Sequence, residues 1–154
     1  MNWAPGTVCV ALGFSETRDL LEAARREADG GETFLEFRLD CLRRPEEGPR
    51  AIRAFLKEYP ECAVLATCRR RPSRGRFGGD IEEQLRLLEA AVEAGARAVD
   101  LEIESAEKAG VLPETLTRGA KLVISYHDFT RTPAVEPLLR RLLRQPADTH
   151  KLVT

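Results

Sequence analysis

Six short apolar runs return along this chain at a nearly constant interval, and that repeat limits the folds open to it more than any other feature. The runs cover residues 7–12, 33–39, 62–67, 98–103, 121–126 and 151–154. Between them lie longer stretches whose apolar residues recur at three and four positions. Ile81, Leu85, Leu88 and Val92 give the clearest stripe, predicting a helix over 81–94. Asp80 stands before it as an N-cap with Glu83 three residues on, and Gly95 closes it. Residues 16–28 read the same way, with Ser15 as cap, Leu20, Leu21 and Ala24 as the stripe, and Gly30-Gly31 as the stop. A helix over 46–59 is ended by Pro60, and a weaker one over 133–144 is interrupted by Pro137. Strand starts thus recur near 7, 33, 62, 98, 121 and 150. One β/α unit about every 29 residues predicts a parallel sheet with helical crossovers, and it matches the unit of an eight-fold barrel. A doubly wound sheet of five or six strands also suits a chain of 154 residues.

The strands themselves are unusual. Parallel strands covered on both faces read as continuous apolar runs, yet these alternate. The second carries Glu36, Arg38 and Asp40 between Leu35, Phe37 and Leu39. The fourth sets Asp100 and Glu102 against Val99, Leu101 and Ile103. The third ends in Thr67 and Arg69, the fifth in Ser125 and His127, and the sixth carries Lys151. Side chains alternate across a strand, so each polar set shares one face. In a barrel that face points inward, and its C-terminal mouth is where barrel enzymes keep their chemistry. Charges there are costly unless paired or used. Glu36 with Arg38, and Lys151 with Asp100 or Glu102, are the expected pairings. Arg70, Arg71, Arg74 and Arg76 read as a solvated loop after the third strand.

Composition narrows the function classes. The 24 basic residues nearly cancel the 25 acidic ones, for a net charge of -1, which gives no reason to expect nucleic acid as a partner. No apolar run approaches the roughly 18 residues of a membrane span, and the N-terminus lacks a secretory pattern. The expectation is one cytoplasmic domain over residues 1–154. Cys9, Cys41, Cys62 and Cys68 show no zinc spacing and are expected to be reduced, buried and inert. The positive charge is skewed, with Lys57, Lys108, Lys121 and Lys151 as the only lysines and His127 and His150 as the only histidines. The first three lysines read as surface residues, and His150 as a packing residue facing away from Lys151.

One lysine and one histidine on a convergent polar face suggest a particular chemistry. A lysine held among apolar walls and other cations can lose its proton near neutrality, and its amine can then attack a carbonyl to form an imine. A histidine can remove the proton next to the imine carbon and later protonate a leaving group. Arginines and carboxylates would hold a polyhydroxylated or acidic substrate. From the residues alone this is a Schiff-base lyase or an aldolase.

Five segments in order then match a known pattern. Glu36-Phe37-Arg38-Leu39-Asp40 resembles the ExRxD strand of the type I 3-dehydroquinate dehydratases. Thr67-Cys68-Arg69 is similar to that family's TxR strand end, and Val99-Asp100-Leu101-Glu102 to its next strand. Ser125-Tyr126-His127-Asp128-Phe129, with Thr132-Pro133 behind it, resembles the catalytic-histidine segment, and His150-Lys151-Leu152-Val153 falls where the imine-forming lysine belongs. The resemblance implies a (β/α)8 TIM barrel of α/β class that dehydrates 3-dehydroquinate to 3-dehydroshikimate in the shikimate pathway. It implies Lys151 as the imine-forming residue and His127 as the proton carrier. Glu36, Arg38 and Arg69 would bind the ring hydroxyls and the carboxylate, and Asp100 and Glu102 would orient His127 or balance Lys151. No metal or organic cofactor is implied, because the lysine supplies the electron sink. Many members carry Glu-Gly-Gly beginning four residues after the arginine matched by Arg69; here Ser73, Arg74 and Gly75 stand there.

The resemblance also implies two further strands beyond Lys151, with a substrate-binding arginine and a closing loop. The chain is therefore expected to hold about five β/α units and a sixth strand of an incomplete barrel. Such an arc exposes two sheet edges, so self-association, read by light scattering, is expected; a clean monomer would count against it. The alternatives are another Schiff-base barrel enzyme such as a class I aldolase, or an inactive barrel fragment.

Overall fold

A computed structural model of the chain describes residues 8–154; Thr7, the first residue of the first run, lies outside the described residues. Six strands form one sheet in the order in which they occur: β1 (Val10–Leu12), β2 (Phe34–Arg38), β3 (Ala63–Thr67), β4 (Ala98–Glu102), β5 (Lys121–His127) and β6 (Thr149–Val153). Every neighbouring pair is parallel. The helices between them are α1 (Thr17–Asp29), α2 (Gly48–Glu58), α3 (Ile81–Glu93), α4 (Ile103–Ala109), α5 (Glu114–Arg118) and α6 (Val135–Leu142). A doubly wound sheet would reverse its strand order and carry helices on both faces. Here the order never reverses, and the result is a half-barrel.

The two faces of the arc are distinct. Leu35, Phe37, Val64, Ala66, Val99, Leu101, Leu122 and Ile124 on one face pack with Leu20, Ile52, Phe55, Leu88, Leu116 and Leu138 of the helices into the main core. Phe37 and Phe55, both fully buried, meet with ring centroids 5.5 Å apart. Each such side chain contributes about 1.5–3 kcal/mol by burial. Phe34, Ala63, Leu65, Ala98 and Val123 form a second, smaller cluster from strand residues alone, on the concave face. The polar strand residues stand above that floor, toward the strands' C-terminal ends.

Local structure follows the sequence closely in some places and departs from it in others. Asp80 accepts from the Glu83 amide at 2.8 Å while the Glu83 carboxylate accepts from the Asp80 amide at 2.9 Å, the reciprocal box expected at the start of α3. Gly95 takes the left-handed conformation, φ 110°, that ends this helix. At α1 the N-cap is Glu16, not Ser15, and no side chain caps it. Helix α2 begins later than expected because Pro45–Glu47 forms a 3-10 turn ahead of it. Pro137 does not interrupt α6; it is the third residue, within the first turn, where amides have no acceptor inside the helix. Ile103 belongs to α4 rather than the fourth strand. Of the cysteines, Cys62 and Cys68 are buried, whereas Cys9 and Cys41 are only half-buried. No helix among the described residues is long and apolar enough to cross a membrane.

Candidate active site

Residues at alternate positions of β2 to β6 bring their polar side chains onto the concave face, where Asp100 is the hub. It is 1% exposed. Its carboxylate accepts from Ser125 Oγ at 2.5 Å, from Arg69 Nη2 at 3.4 Å and from Lys151 Nζ at 3.3 Å. The parallel register places Ser125 opposite Lys151, and Thr67 opposite Asp100, across neighbouring strands. Lys151 therefore arrives beside Asp100 although β5 lies between their strands. Of the two carboxylates expected to meet Lys151, only Asp100 does.

Glu102 is used differently. It accepts from the Arg70 amide at 2.8 Å and from Gln84 Nε2 at 2.6 Å. Burial pushes its carboxyl up from the ordinary range, against the pull of those hydrogen bonds. Of the two roles expected of this pair, Asp100 takes the pairing with Lys151; among the described residues neither Asp100 nor Glu102 hydrogen-bonds His127, whose Nδ1 is buried without a partner. The reason is reach. Asp100 is occupied by three donors, and Glu102 is drawn toward α3 by Gln84.

The pairing expected between Glu36 and Arg38 also gives way. Arg38 forms a two-pronged bond to Asp40, both contacts at 2.9 Å. Asp40 can turn back to it because β2 ends at Arg38 and a 3-10 turn begins at Leu39. Glu36 instead accepts from Thr67 Oγ1 at 2.7 Å, one strand away. Its other neighbours include Cys9, Leu65 and Lys151, with which it lines an open groove of about 540 Å³. Burial, with Glu36 adding to it, pushes the Cys9 thiol up to about 12, so it stays neutral.

Gln84 escaped the reading of the sequence. It is fully buried on α3 and also donates to the Cys68 carbonyl at 2.7 Å. A polar residue three positions after Ile81 and four before Leu88, on the apolar stripe, was the available signal. His150 lies in β6 at the position next to Lys151, with its Nε2 buried and unpartnered. Lys57, Lys108 and Lys121 are exposed, Lys121 in a 2.6 Å pair with Asp148. Of the loop arginines, Arg70 is half-buried and Arg71, Arg74 and Arg76 are exposed.

The electrostatics of the face favour a neutral imidazole. Burial, then the charge of Arg69, lowers His127 from 6.5 to about 4. The unfolded chain binds a proton near 6.5 and the folded chain does not, so folding stability rises with pH across this window. The contribution is whole above about 6.5 and is lost as pH falls toward about 4. The expected result is a wild-type Tm that declines more steeply between those values than that of His127→Gln. Parallel Tm–pH curves would refute the shift. At neutral pH the face therefore offers an unprotonated imidazole, an amine beside a carboxylate, and arginines on an acidic and hydroxyl-rich lining.

Known proteins resemble this chain over most of its length. The model of the family described as type I 3-dehydroquinase matches residues 8–154. A 3-dehydroquinate dehydratase of Dehalococcoides mccartyi is 36% identical over 153 residues, covering 97% of this chain and 63% of its own. One from Methanothermobacter thermautotrophicus is 35% identical over 150 residues, covering 94% and 64%. The crystal structure of 3-dehydroquinate dehydratase from Geobacillus kaustophilus superposes with a TM-score of 0.81 at 25% identity, over 94% of this chain and 60% of that one. The chain thus spans less than two thirds of the length of the curated relatives it matches.

Proposed function

Because this chain belongs to the type I 3-dehydroquinase family, we propose that it carries the imine-forming and proton-transferring part of a hydro-lyase acting on 3-dehydroquinate. The observation that carries the reading is the shared placement of an amine and a neutral imidazole. Lys151 of β6 and His127 of β5 are on adjoining strands, His127 two residues beyond the partner of Lys151 in register.

The Lys151 amine attacks the ring ketone, and loss of water from the adduct leaves an imine. The imidazole of His127 takes a proton from the adjacent carbon, and the electron pair moves toward the imine nitrogen to give an enamine. The enamine returns that pair to expel the ring hydroxyl, which leaves as water with the proton held on His127. Water then hydrolyses the conjugated imine, releasing 3-dehydroshikimate and the amine. Asp100 holds Lys151 in place before reaction. Glu36 and Arg69 face the ring hydroxyls, and Arg38, held by Asp40, borders the same face. Glu102, braced by Gln84, holds the backbone at Arg70 through that residue's amide. Four free cysteines support a cytoplasmic setting for the enzyme.

Borohydride added to the 154-residue chain with 3-dehydroquinate tests the reading. The expected result is a reduced adduct located at Lys151 by peptide mass analysis, with product seen as ultraviolet absorbance of the conjugated enone. An unmodified chain at saturating ligand would overturn it.

A further inference from the structure

Arg69 bonds Asp100, which also holds Lys151, and its charge reaches His127. Its head group is poorly held. Both bonds to Asp100 are 3.4 Å long, and its Nε is buried without a partner among the described residues. An arginine that is 6% exposed, with contacts that long, takes its place from the backbone that carries it.

That backbone is tied at three consecutive residues. The Cys68 carbonyl accepts from Gln84 Nε2 at 2.7 Å, and the Arg70 amide donates to Glu102 at 2.8 Å. Between them the Arg69 carbonyl accepts from the Phe77 amide at 3.0 Å, and a Cβ added at Gly75 would stand 1.9 Å from that carbonyl oxygen. The two outer ties are one device, because Gln84 Nε2 also donates to Glu102 at 2.6 Å. One nitrogen thus spends one hydrogen on the peptide before Arg69. The other goes to the carboxylate that holds the peptide after it. Among uncharged side chains only an amide offers two donors from one atom.

Gln84 is fully buried in α3, and its Oε1 has no partner among the described residues. An amide oxygen buried unpaired costs stability, so packing alone does not account for the residue. We propose that Gln84 is a positioning residue for the reaction: through the Cys68 carbonyl and Glu102 it fixes the peptides on both sides of Arg69, and so sets where that guanidinium stands against substrate, Asp100 and Lys151. It acts through Arg69 and not on the reacting atoms.

The effect on substrate rests on the dehydratase reading, and two readouts keep the failures apart. The first is the NMR titration of His127 in the substrate-free chain, with the His150 signal assigned by His150→Gln. Burial, then Arg69 just beyond β3, keeps this imidazole unprotonated; Asp100 of β4 opposes them, and Lys151 of β6 and Arg38 of β2 add to them. The second is the concentration of 3-dehydroquinate that half-saturates borohydride trapping at Lys151. Gln84→Met fills the space without donors. It is expected to raise the His127 midpoint by about half a pH unit as the Arg69 charge moves away, and to raise the half-saturating concentration about threefold. In an Arg69→Met background the same change should move neither. Glu102→Gln, which sets an NH2 group against the Arg70 amide, should shift both readouts in the same direction and supplies a folded protein if Gln84→Met does not fold. A lower Tm with the titration and the half-saturation unmoved would make Gln84 a structural residue and overturn the proposal. So would an equal shift in the Arg69→Met background. No adduct in any of the proteins, with the His127 shift present and dependent on Arg69, would overturn the dehydratase reading and uphold the positioning of Arg69.

Discussion

Lys151→Ala is expected to abolish the borohydride-trapped adduct and to reduce any turnover of 3-dehydroquinate by on the order of 10³-fold or more, the scale set by loss of a covalent nucleophile. No neighbour can replace the amine. The other lysines are exposed: Lys57 and Lys108 lie on helices α2 and α4, and Lys121, at the far N-terminal end of β5, is paired with Asp148; arginine stays protonated at any working pH. The side chain of Lys151 is 37% exposed, so truncating it leaves little void and the fold should survive. His127→Ala separates the steps. It should still form the adduct but slow the proton transfer by about 10²–10⁴-fold. Equal trapping in wild type and Lys151→Ala would place the imine elsewhere.

Asp100→Ala is expected to have the largest effect on stability. The change removes a fully buried carboxylate that three donors share and leaves the Arg69 guanidinium, its side chain 7% exposed, without its countercharge. The Nε of Arg69 already lacks a partner. Removing one member of a buried ion pair costs about 3–5 kcal/mol, which chemical denaturation reads directly. Asp100→Asn keeps an acceptor for Ser125 and should lose less, providing a folded protein if the alanine variant does not fold. A loss below about 1 kcal/mol in both would mean that Asp100 is not the hub the geometry describes.

Much of the site is legible in the sequence. Glu36, Arg38, Arg69, Asp100, His127 and Lys151 could be placed on one face because alternation along a strand is a property of the backbone. The capping box of α3 was legible for the same reason, since its two residues are three apart. The helices between β4 and β5 were not. They are short, five and seven residues, with too few turns to show a stripe. Pro137 misled because proline reads as a break unless the helix start is known to within a turn. Gln84 was hidden because its partner, Glu102, lies on another element.

What the sequence determined by itself was the direction of each strand side chain, the repeat, and so the polar face and its chemistry. These depend on spacings of two, three and four residues. Which cation each carboxylate serves was decided only by the tertiary structure. The partners of Asp100 lie 25, 31 and 51 residues away, and Glu36 reaches Thr67 across 31. Those distances close through register between strands. A same-face neighbour two residues along, such as Arg38 beside Glu36, lost to a side chain that the next strand, or a turn, brought into better geometry.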